Sequence, residues 1–227
     1  MILVTGHLGF LGSKLTKHIK GLGIDLKNRD DLLTCDLPDN IDLIYHLAAQ
    51  TSVEESWNDP ITDFENIGMT LRLIVKYPNA RIIYAASAAS LDITSPYGLS
   101  KKVCEEYLRL MHKDYVICRF PNVFGGGKGV ADIFKGRKDV QIYGDGKQIR
   151  DFVHADDIIK GLLLAQKWPK GDYSMGSGKG IKVKDLAVGK EVTWMPARKE
   201  IRESILANTT PDWKPVINVK KWIKDQS

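Results

Sequence analysis

Cysteine is scarce in this chain, which has only Cys35, Cys104 and Cys118. An odd number without a CxxC pair excludes both a disulfide framework and a cysteine metal site. The five histidines show no HExxH or comparable ligand spacing, so we expect no metal. This cysteine usage suits a reducing, cytoplasmic location.

Long apolar runs and long runs of one charge are also missing. No apolar stretch approaches the roughly 18 residues that a membrane helix needs, and Met1 leads into "ILVTG" without the basic segment of a signal peptide. The net charge is +5, but the lysines are scattered, with no aromatic ladder between them. We therefore expect neither nucleic acid nor a membrane among the partners.

The first two thirds of the chain alternate between two patterns. Short apolar runs rich in β-branched residues predict strands at 1–5, 41–49, 80–87 and 115–120, and a short strand ending at Asp25. Stretches with helical spacing predict helices at 11–22, 62–77 and 97–112. This alternation predicts an α/β fold, a doubly wound parallel sheet with helices on both faces.

From about residue 125 the pattern loosens into turn-rich segments such as "GGGKG" and "GSGKG". A helix is predicted at 155–168, and weaker helices at 183–188 and 219–225. We expect a main domain of residues 1–124 with parts of 150–178. A small interwoven C-terminal lobe would comprise residues 125–149 and 179–227.

A glycine-rich turn stands between the first strand and the first helix. Gly6, Gly9 and Gly12 let the chain turn sharply and bring its backbone against a pyrophosphate, which predicts a dinucleotide site. Asp25, 19 residues after Gly6, could accept hydrogen bonds from ribose hydroxyls and repel a 2′-phosphate, which favours NAD over NADP. Lys27 and Arg29 nearby weaken this preference, and Asp25 could instead be a turn carboxylate.

Three residues predict a proton-transfer site. Ser87 ends a predicted strand, and Tyr97 and Lys101 lie at i and i+4 on one face of the helix that follows. A cationic lysine and the positive nicotinamide favour the phenolate, so Tyr97 is the predicted general base, with Ser87 sharing the substrate hydroxyl. Ser90 is the alternative serine.

Several motifs together resemble the extended short-chain dehydrogenases/reductases of the NAD-dependent sugar epimerase/dehydratase group. They include "VTGHLGFLGS", "CDL", "HLAAQTSVEES", "ENIGMTLRL", "CRFPNVFG" and, most specifically, "IYGDGKQIRDFVHADDI". The resemblance runs almost from end to end. It implies a Rossmann-type fold with NAD as cofactor and a nucleotide-diphosphate sugar as substrate.

The resemblance also implies roles for individual residues. The implied cofactor contacts are Gly6, Gly9, Phe10, Leu11, Gly12, Asp25, Asp36, Leu37, Leu47, Ala48, Ala49, Thr51, Asn66, Ala85, Tyr97, Lys101 and Pro121. The implied substrate contacts are Ser87, Asn122, Arg150 and, more weakly, Arg198. Asn122 and the two arginines would hold the diphosphate of the substrate.

The implied reaction is the epimerisation of a nucleotide-diphosphate sugar through a transient keto-sugar, at C4 and with UDP-sugars favoured. The dehydratase branch of the family has an Asp-Glu pair directly after the active-site hydroxyl residue, whereas this chain has Ala88 and Ala89. Neither alanine can transfer a proton. A dehydratase or reductase of the same family, or a catalytically degenerate NAD-binding module, remain alternatives.

Two further expectations concern packing. The helices at 62–77 and 97–112 resemble the pair that forms a homodimer interface in relatives. Their apolar residues could serve there or face the sheet; they are Leu71, Ile74, Val103, Tyr107 and Leu110. Asp156 and Asp157 are predicted to cap the helix that follows them.

Overall fold

The computed structural model describes residues 1–127, 129–197 and 203–225. They fall into two compact units, Met1–Arg119 with Leu162–Tyr173, and Phe120–Gly161 with Ser174–Ser227. The first unit therefore ends a few residues before the predicted boundary. The assignment of one unit to the cofactor and of the other to the substrate stays a prediction. No helix within the described ranges is long and apolar enough to cross a membrane.

The described residues form strands β1 (Ile2–Thr5), β2 (Leu22–Ile24), β3 (Leu43–His46), β4 (Arg81–Ser87), β5 (Tyr115–Phe120), β6 (Asn122–Phe124), β7 (Asp139–Tyr143), β8 (Ile149–Arg150), β9 (Phe152–His154), β10 (Gly171–Ser174), β11 (Ile181–Lys182), β12 (Glu191–Met195) and β13 (Glu203–Ser204). The helices are α1 (Phe10–Leu15), α2 (Val53–Asn58), α3 (Pro60–Lys76), α4 (Pro96–Met111), α5 (Val130–Gly136), α6 (Ala155–Ala165) and α7 (Val219–Lys224). Short 3-10 helices cover Leu26–Asn28, Ala88–Ser90 and Val183–Leu186.

The main sheet has six strands in the order β10-β5-β4-β3-β1-β2. Strand β1 pairs in parallel with β2 on one side and with β3 on the other, and β3 pairs in parallel with β4. The chain thus reverses its direction of winding beside β1, and open α/β sheets bind ligands at such a switch point. The predicted α/β fold is confirmed.

Two predicted helices begin and end close to the expected residues because their caps are encoded locally. In α3, Asp59 accepts a hydrogen bond from the backbone N–H of Ile61 (3.1 Å), and Pro60 occupies the first turn. In α4, the hydroxyl of Ser95 accepts from the N–H of Gly98 (3.1 Å).

The first helix is shorter than predicted. It ends at Leu15 instead of continuing to residue 22. A Cβ atom on Gly21 would lie 2.9 Å from the carbonyl oxygen of Ile2, because the chain is already returning to the sheet at that point. The need to reach β2 within a few residues overrides the helical spacing.

The cap predicted for α6 is also wrong. The backbone N–H of Asp156 donates to Nδ1 of His154 (3.1 Å), so the histidine caps the helix. The carboxylate of Asp157 instead accepts from the N–H groups of Val216 and Ile217, both at 2.9 Å. It ties the C-terminal segment to α6 within the second unit.

The described residues of the second unit form three small sheets. β6 pairs in parallel with β9, β8 lies between β11 and β13, and β7 pairs in parallel with β12. An apolar core that includes Phe124, Phe134 and Ile142 holds them together.

Candidate active site

The glycine-rich turn between β1 and α1 has room for backbone only. Gly6 adopts a positive φ of 71°, which favours glycine, and a Cβ atom there would lie 2.7 Å from the backbone nitrogen of Ala48. A Cβ atom on Gly12 would lie 2.0 Å from the carbonyl oxygen of Gly6. The start of α1 therefore packs directly on the turn, as a pyrophosphate cradle requires.

Asp25 lies beside this turn, as its spacing predicts. Its carboxylate accepts hydrogen bonds from the backbone N–H groups of Leu8 and Lys27, both at 2.9 Å. The ammonium group of Lys27 donates to the carbonyl oxygen of Leu8 (2.9 Å), so its charge is already engaged. Asp25 is a turn carboxylate, and since each carboxylate oxygen can accept more than one hydrogen bond, it could also accept from a ribose.

The segment after β3 packs against the glycine-rich turn between β1 and α1. The N–H of Ala48 donates to the hydroxyl of Thr5 (3.2 Å), and the N–H of Leu47 donates to the carbonyl of Thr5 (3.2 Å). The structure therefore brings Gly6 together with Leu47 and Ala48, two segments that the sequence separates by about 40 residues. Ala49 and the exposed Thr51 continue this segment.

The segment with Asp36 and Leu37 is held by a residue that sequence reasoning missed. The guanidinium group of Arg72 on α3 donates to the carbonyl oxygens of Leu32 and Cys35, both at 2.6 Å. A hollow of about 700 Å³ lies between this segment and α3. Contact of Asp36 and Leu37 with adenine stays a prediction.

Asn66 is buried on α3 and connects two predicted parts of the site. Its Oδ1 accepts from the N–H of Gln50 (2.9 Å), in the segment after β3. Its Nδ2 lies 3.3 Å from the hydroxyl oxygen of Ser100, the residue before Lys101 on α4. Asn66 thus supports the site by positioning backbone.

The predicted catalytic residues Ser87, Tyr97 and Lys101 lie together in the first unit. Tyr97 is 8% exposed, and the Ser87 side chain lies near enough to its phenol to lower the pKa of Tyr97. Lys101 is 3% exposed, and its Nζ lies 6.0 Å from the centre of the Tyr97 ring and 4.9 Å from that of Tyr84. The same Nζ donates to the carbonyl oxygen of Ala85 (2.9 Å).

Burial dominates the protonation of this pair. It raises the pKa of Tyr97 to about 12, although the hydrogen bond from Ser87 acts in the opposite direction. Burial also lowers the pKa of Lys101 to about 8, against the attraction of Cys104 and Glu105. The chain alone thus keeps Tyr97 as a phenol, contrary to the lowering expected from a nearby lysine. A cationic nicotinamide beside the phenol would favour the phenolate.

Ser90, the alternative serine, is engaged by its own hydrogen bonds. Its hydroxyl contacts the carbonyl oxygen of Ser87 (2.8 Å) and the carboxylate of Glu105. Glu105 is fully buried and also pairs with Arg119 and Arg109. Ser90 therefore belongs to a structural ion-pair network.

The predicted diphosphate ligands Asn122 and Arg150 belong to the second unit and lie near each other there. The Nδ2 of Asn122 donates to the carbonyl oxygen of Asp151 (3.2 Å), the residue after Arg150. Arg150 donates from Nη1 to the carbonyl oxygen of Ile149 (2.9 Å) and is half-buried. Pro121 precedes Asn122, and Arg198 lies outside the described residues.

Two more residues of the first unit were missed from the sequence, Thr5 and Asp63. Thr5 links β1 to the segment after β3, and Asp63 is a buried acid one turn before Asn66. The i, i+3 spacing of Asp63 and Asn66 on a buried helix face was the available signal. For Thr5 no such signal exists, because its partners are distant in sequence.

Comparison with known proteins decides the family. Residues 2–176 match the family model described as NAD dependent epimerase/dehydratase family. The chain belongs to this family. Its membership in the NAD dependent epimerases/dehydratases confirms the resemblance and the cofactor, and the glycine cradle fits NAD because Gly6 and Gly12 leave room for backbone only, as a close approach to a pyrophosphate requires.

Relatives of this epimerase/dehydratase chain cover nearly all of it. A Methanocaldococcus jannaschii protein provisionally named a UDP-glucose 4-epimerase is 29% identical, with 99% of this chain and 96% of the relative covered. Their alignment runs over 294 positions, more than the 227 residues here, because the relative has residues without a counterpart.

Solved structures have the same fold. The UDP-glucose 4-epimerase of Thermotoga maritima, solved with UDP-glucose, is 26% identical with a TM-score of 0.82, and covers 98% of this chain and 96% of its own. The NDP-hexosamine 5,6-dehydratase TunA, 22% identical, has a TM-score of 0.85 and covers 98% and 95%. Proteins of different reactions thus match equally well, so the fold alone does not select the reaction.

Proposed function

We propose that this chain epimerises a nucleotide-diphosphate sugar at C4, with UDP-sugars favoured, through a transient keto-sugar. The observation that carries the proposal is the convergence of three groups in the first unit: the Ser87 side chain lowers the pKa of Tyr97, and Nζ of Lys101 lies 6.0 Å from the centre of the Tyr97 ring. A binding module needs no such proton-transfer group. Bound NAD supplies a reversible acceptor for the hydride of the sugar carbon.

Tyr97 is the proposed general base. A cationic nicotinamide beside Tyr97 would favour the phenolate, which takes the proton of the sugar hydroxyl as the carbon is oxidised; the phenol so formed returns the proton when the keto group is reduced. The Ser87 hydroxyl holds the same sugar oxygen, and Lys101 supplies a positive charge that Ala85 keeps in place. Inversion follows when the keto-sugar presents its other face before it is reduced.

The residues after Ser87 support epimerisation over water elimination. Ala88 and Ala89 form the 3-10 turn that directly follows β4. Elimination needs an additional acid and base, and two methyl groups provide neither.

Asn122 and Arg150 are the proposed ligands of the substrate diphosphate. A guanidinium group can donate two parallel hydrogen bonds to phosphate oxygens, and an amide can donate one more. Arg198 is a weaker candidate for the same role. Because the Methanocaldococcus jannaschii relative has residues without a counterpart in this chain, the sugar pocket is proposed to be more open here than in that relative.

Turnover of defined sugars tests this proposal. UDP-glucose, UDP-galactose and their N-acetyl forms are each incubated with the NAD-loaded protein, and interconversion is followed by NMR. We expect Tyr97→Phe to abolish interconversion while NAD stays bound, and Tyr107→Phe on the same helix to retain it. Loss of water from the sugar would indicate a dehydratase, and net consumption of added NADH a reductase. Either outcome, or full activity of Tyr97→Phe, would contradict the proposal.

A cytoplasmic homodimer is the proposed state of the protein. Ile74 packs in the core and is excluded from the interface, whereas Leu110 is largely exposed. Other exposed apolar residues on α3 and α4 are Ile61, Phe64, Val75, Leu99 and Met111. Light scattering of the wild type against Leu110→Lys tests this arrangement; a wild-type monomer would contradict it.

A further inference from the structure

A buried carboxyl group is linked through Asn66 and Ser100 to the helix that carries the proposed catalytic pair, and it has no assigned role. Asp63, in the first turn of α3, is 2% exposed. Its Oδ2 is buried and has no hydrogen-bond partner among the residues that the structure describes. Burying an acid at such a position costs free energy, and acidic residues are almost never fully buried without a partner.

Asp63 is part of the network that connects the cofactor segment to α4. Its Oδ1 lies 3.5 Å from Nδ2 of Asn66, which in turn lies 3.3 Å from the hydroxyl oxygen of Ser100. Asn66 also holds the backbone N–H of Gln50. A substitution of Asp63 that moves Asn66 would therefore affect both the segment after β3 and the turn of α4 that carries Lys101.

The charges around Asp63 come from α4 and from the start of α3. Burial raises the pKa of Asp63, and Asp59 adds to this effect. Ser100 and the Lys101 ammonium lower it by smaller amounts. The acidic residues of the neighbouring α2, Glu54 and Glu55, are exposed.

The charge of Asp63 in turn affects the pKa values of Lys101 and Tyr97, with opposite consequences for their charged forms. The charge of Asp63 raises the pKa of Lys101, which favours the ammonium form. It also raises the pKa of Tyr97, which disfavours the phenolate. One carboxylate thus acts on both members of the pair.

We propose that Asp63 is a positioning residue of the active site, one that fixes the Asn66–Ser100 network and balances the charge of Lys101 against that of Tyr97. Its catalytic meaning rests on the function proposed above for Tyr97. An ionised Asp63 favours the charged form of Lys101 and raises the pH at which Tyr97 becomes a phenolate. Without the negative charge of Asp63, Tyr97 should ionise at a lower pH.

The titration of Tyr97 itself provides the test. With NAD bound, the near-ultraviolet phenolate absorbance is measured against pH for each protein and for the same protein carrying Tyr97→Phe, and the difference reports Tyr97 alone. We expect Asp63→Asn to lower the midpoint by about one pH unit, because a nearby negative charge disfavours the phenolate. Glu65→Gln, an exposed acid of the same helix, should leave the midpoint unchanged.

Two more variants keep the test decisive. Asp63→Glu restores the charge and should return the midpoint towards that of the wild type, whereas Asp63→Ser serves as a second neutral variant if Asp63→Asn does not fold. An unchanged midpoint in a folded, NAD-bound neutral variant would overturn the inference, as would an equal shift in Glu65→Gln. Because no sugar is needed, a normal shift in a protein without turnover would refute the proposed function and leave the role of Asp63 intact.

Discussion

The Nζ atom of Lys101 donates its hydrogen bond to the backbone carbonyl oxygen of Ala85, 2.9 Å away on β4. The sheet therefore fixes the ammonium group, while the rings of Tyr84 and Tyr97 lie beside it. A buried charge held by one neutral acceptor is costly, which is why its pKa falls to about 8.

Because this buried charge is costly, we expect Lys101→Met to be more stable than the wild type but inactive. In the unfolded chain the lysine titrates near 10.5, so below about pH 8 the folded state carries a charge that burial penalises. We expect the variant to gain up to about 3 kcal/mol in free energy of unfolding at pH 7, less the lost hydrogen bond, and to lose turnover. The gain should shrink as the pH rises from 8 to 10.5.

Denaturant unfolding of the NAD-free protein at several pH values measures this gain. Lys102→Met provides the matched control, since Lys102 pairs with Glu106 near the surface. If both variants were destabilised alike and without pH dependence, the buried-charge explanation would be wrong.

Substitution of Ser87, the last residue of β4, and substitution of Ser90 should have different effects. Ser87→Ala removes the hydroxyl near the phenol of Tyr97 and is expected to lower kcat about 100-fold while the Kd for NAD stays unchanged. Ser90→Ala takes a donor from buried Glu105 and should lower the free energy of unfolding by about 1–3 kcal/mol with turnover largely retained. Steady-state kinetics and urea unfolding on both variants distinguish these outcomes; the reverse pattern would reassign the serine.

His46 is expected to make the fold sensitive to acid. Since the hydroxyl of Thr70 donates to the carbonyl of Asn66 (2.9 Å), it accepts from Nε2 of His46, whose Nδ1 then accepts from Thr5. Burial, with the charge of Lys101, lowers the pKa of His46 to about 3. The unfolded chain binds the proton at 6.5 and the folded chain does not, so stability is lost as the pH falls from 6.5 towards 3.

The expected loss from this one group is about 2 kcal/mol between pH 6.5 and pH 5. His46→Gln should flatten this part of the pH dependence, at the cost of lower stability near neutrality. His18→Gln, at an exposed histidine, should leave the slope unchanged. A slope equal in wild type and His46→Gln would show that other groups cause the acid sensitivity.

Arg72 should control cofactor affinity without touching the reaction. Arg72→Met frees the carbonyl groups of Leu32 and Cys35, and with them the segment that leads to Asp36 and Leu37. We expect the Kd for NAD, measured by calorimetry, to rise about tenfold, a loss of about 1.4 kcal/mol. Lys76→Met, which breaks only an exposed pair with Asp39, should change it less than about twofold. Equal effects would remove Arg72 from the cofactor site.

Sequence reasoning succeeded where local physics decides the outcome. The sharp turn at Gly6, the helix predicted at 97–112 and the i, i+4 spacing of Tyr97 and Lys101 depend on residues close in sequence, among them the Ser95 cap that starts this helix. It failed at the end of α1, where the chain has to turn back towards Ile2. It also gave the wrong cap for α6, because the side chain of Asp157 bonds the N–H groups of Val216 and Ile217.

The sequence by itself determined the alternating elements, the glycine cradle and the residues able to transfer a proton, since each is written in spacing of a few residues. Only the tertiary structure decided that Ser87 lies near the phenol of Tyr97, whereas Ser90 hydrogen-bonds Glu105. It alone also linked Asp63, through Asn66 and Ser100, to the helix that carries Tyr97 and Lys101. Burial and charge at a site are sums over neighbours that are distant in the chain, and those sums exist only once the sheet and helices have packed.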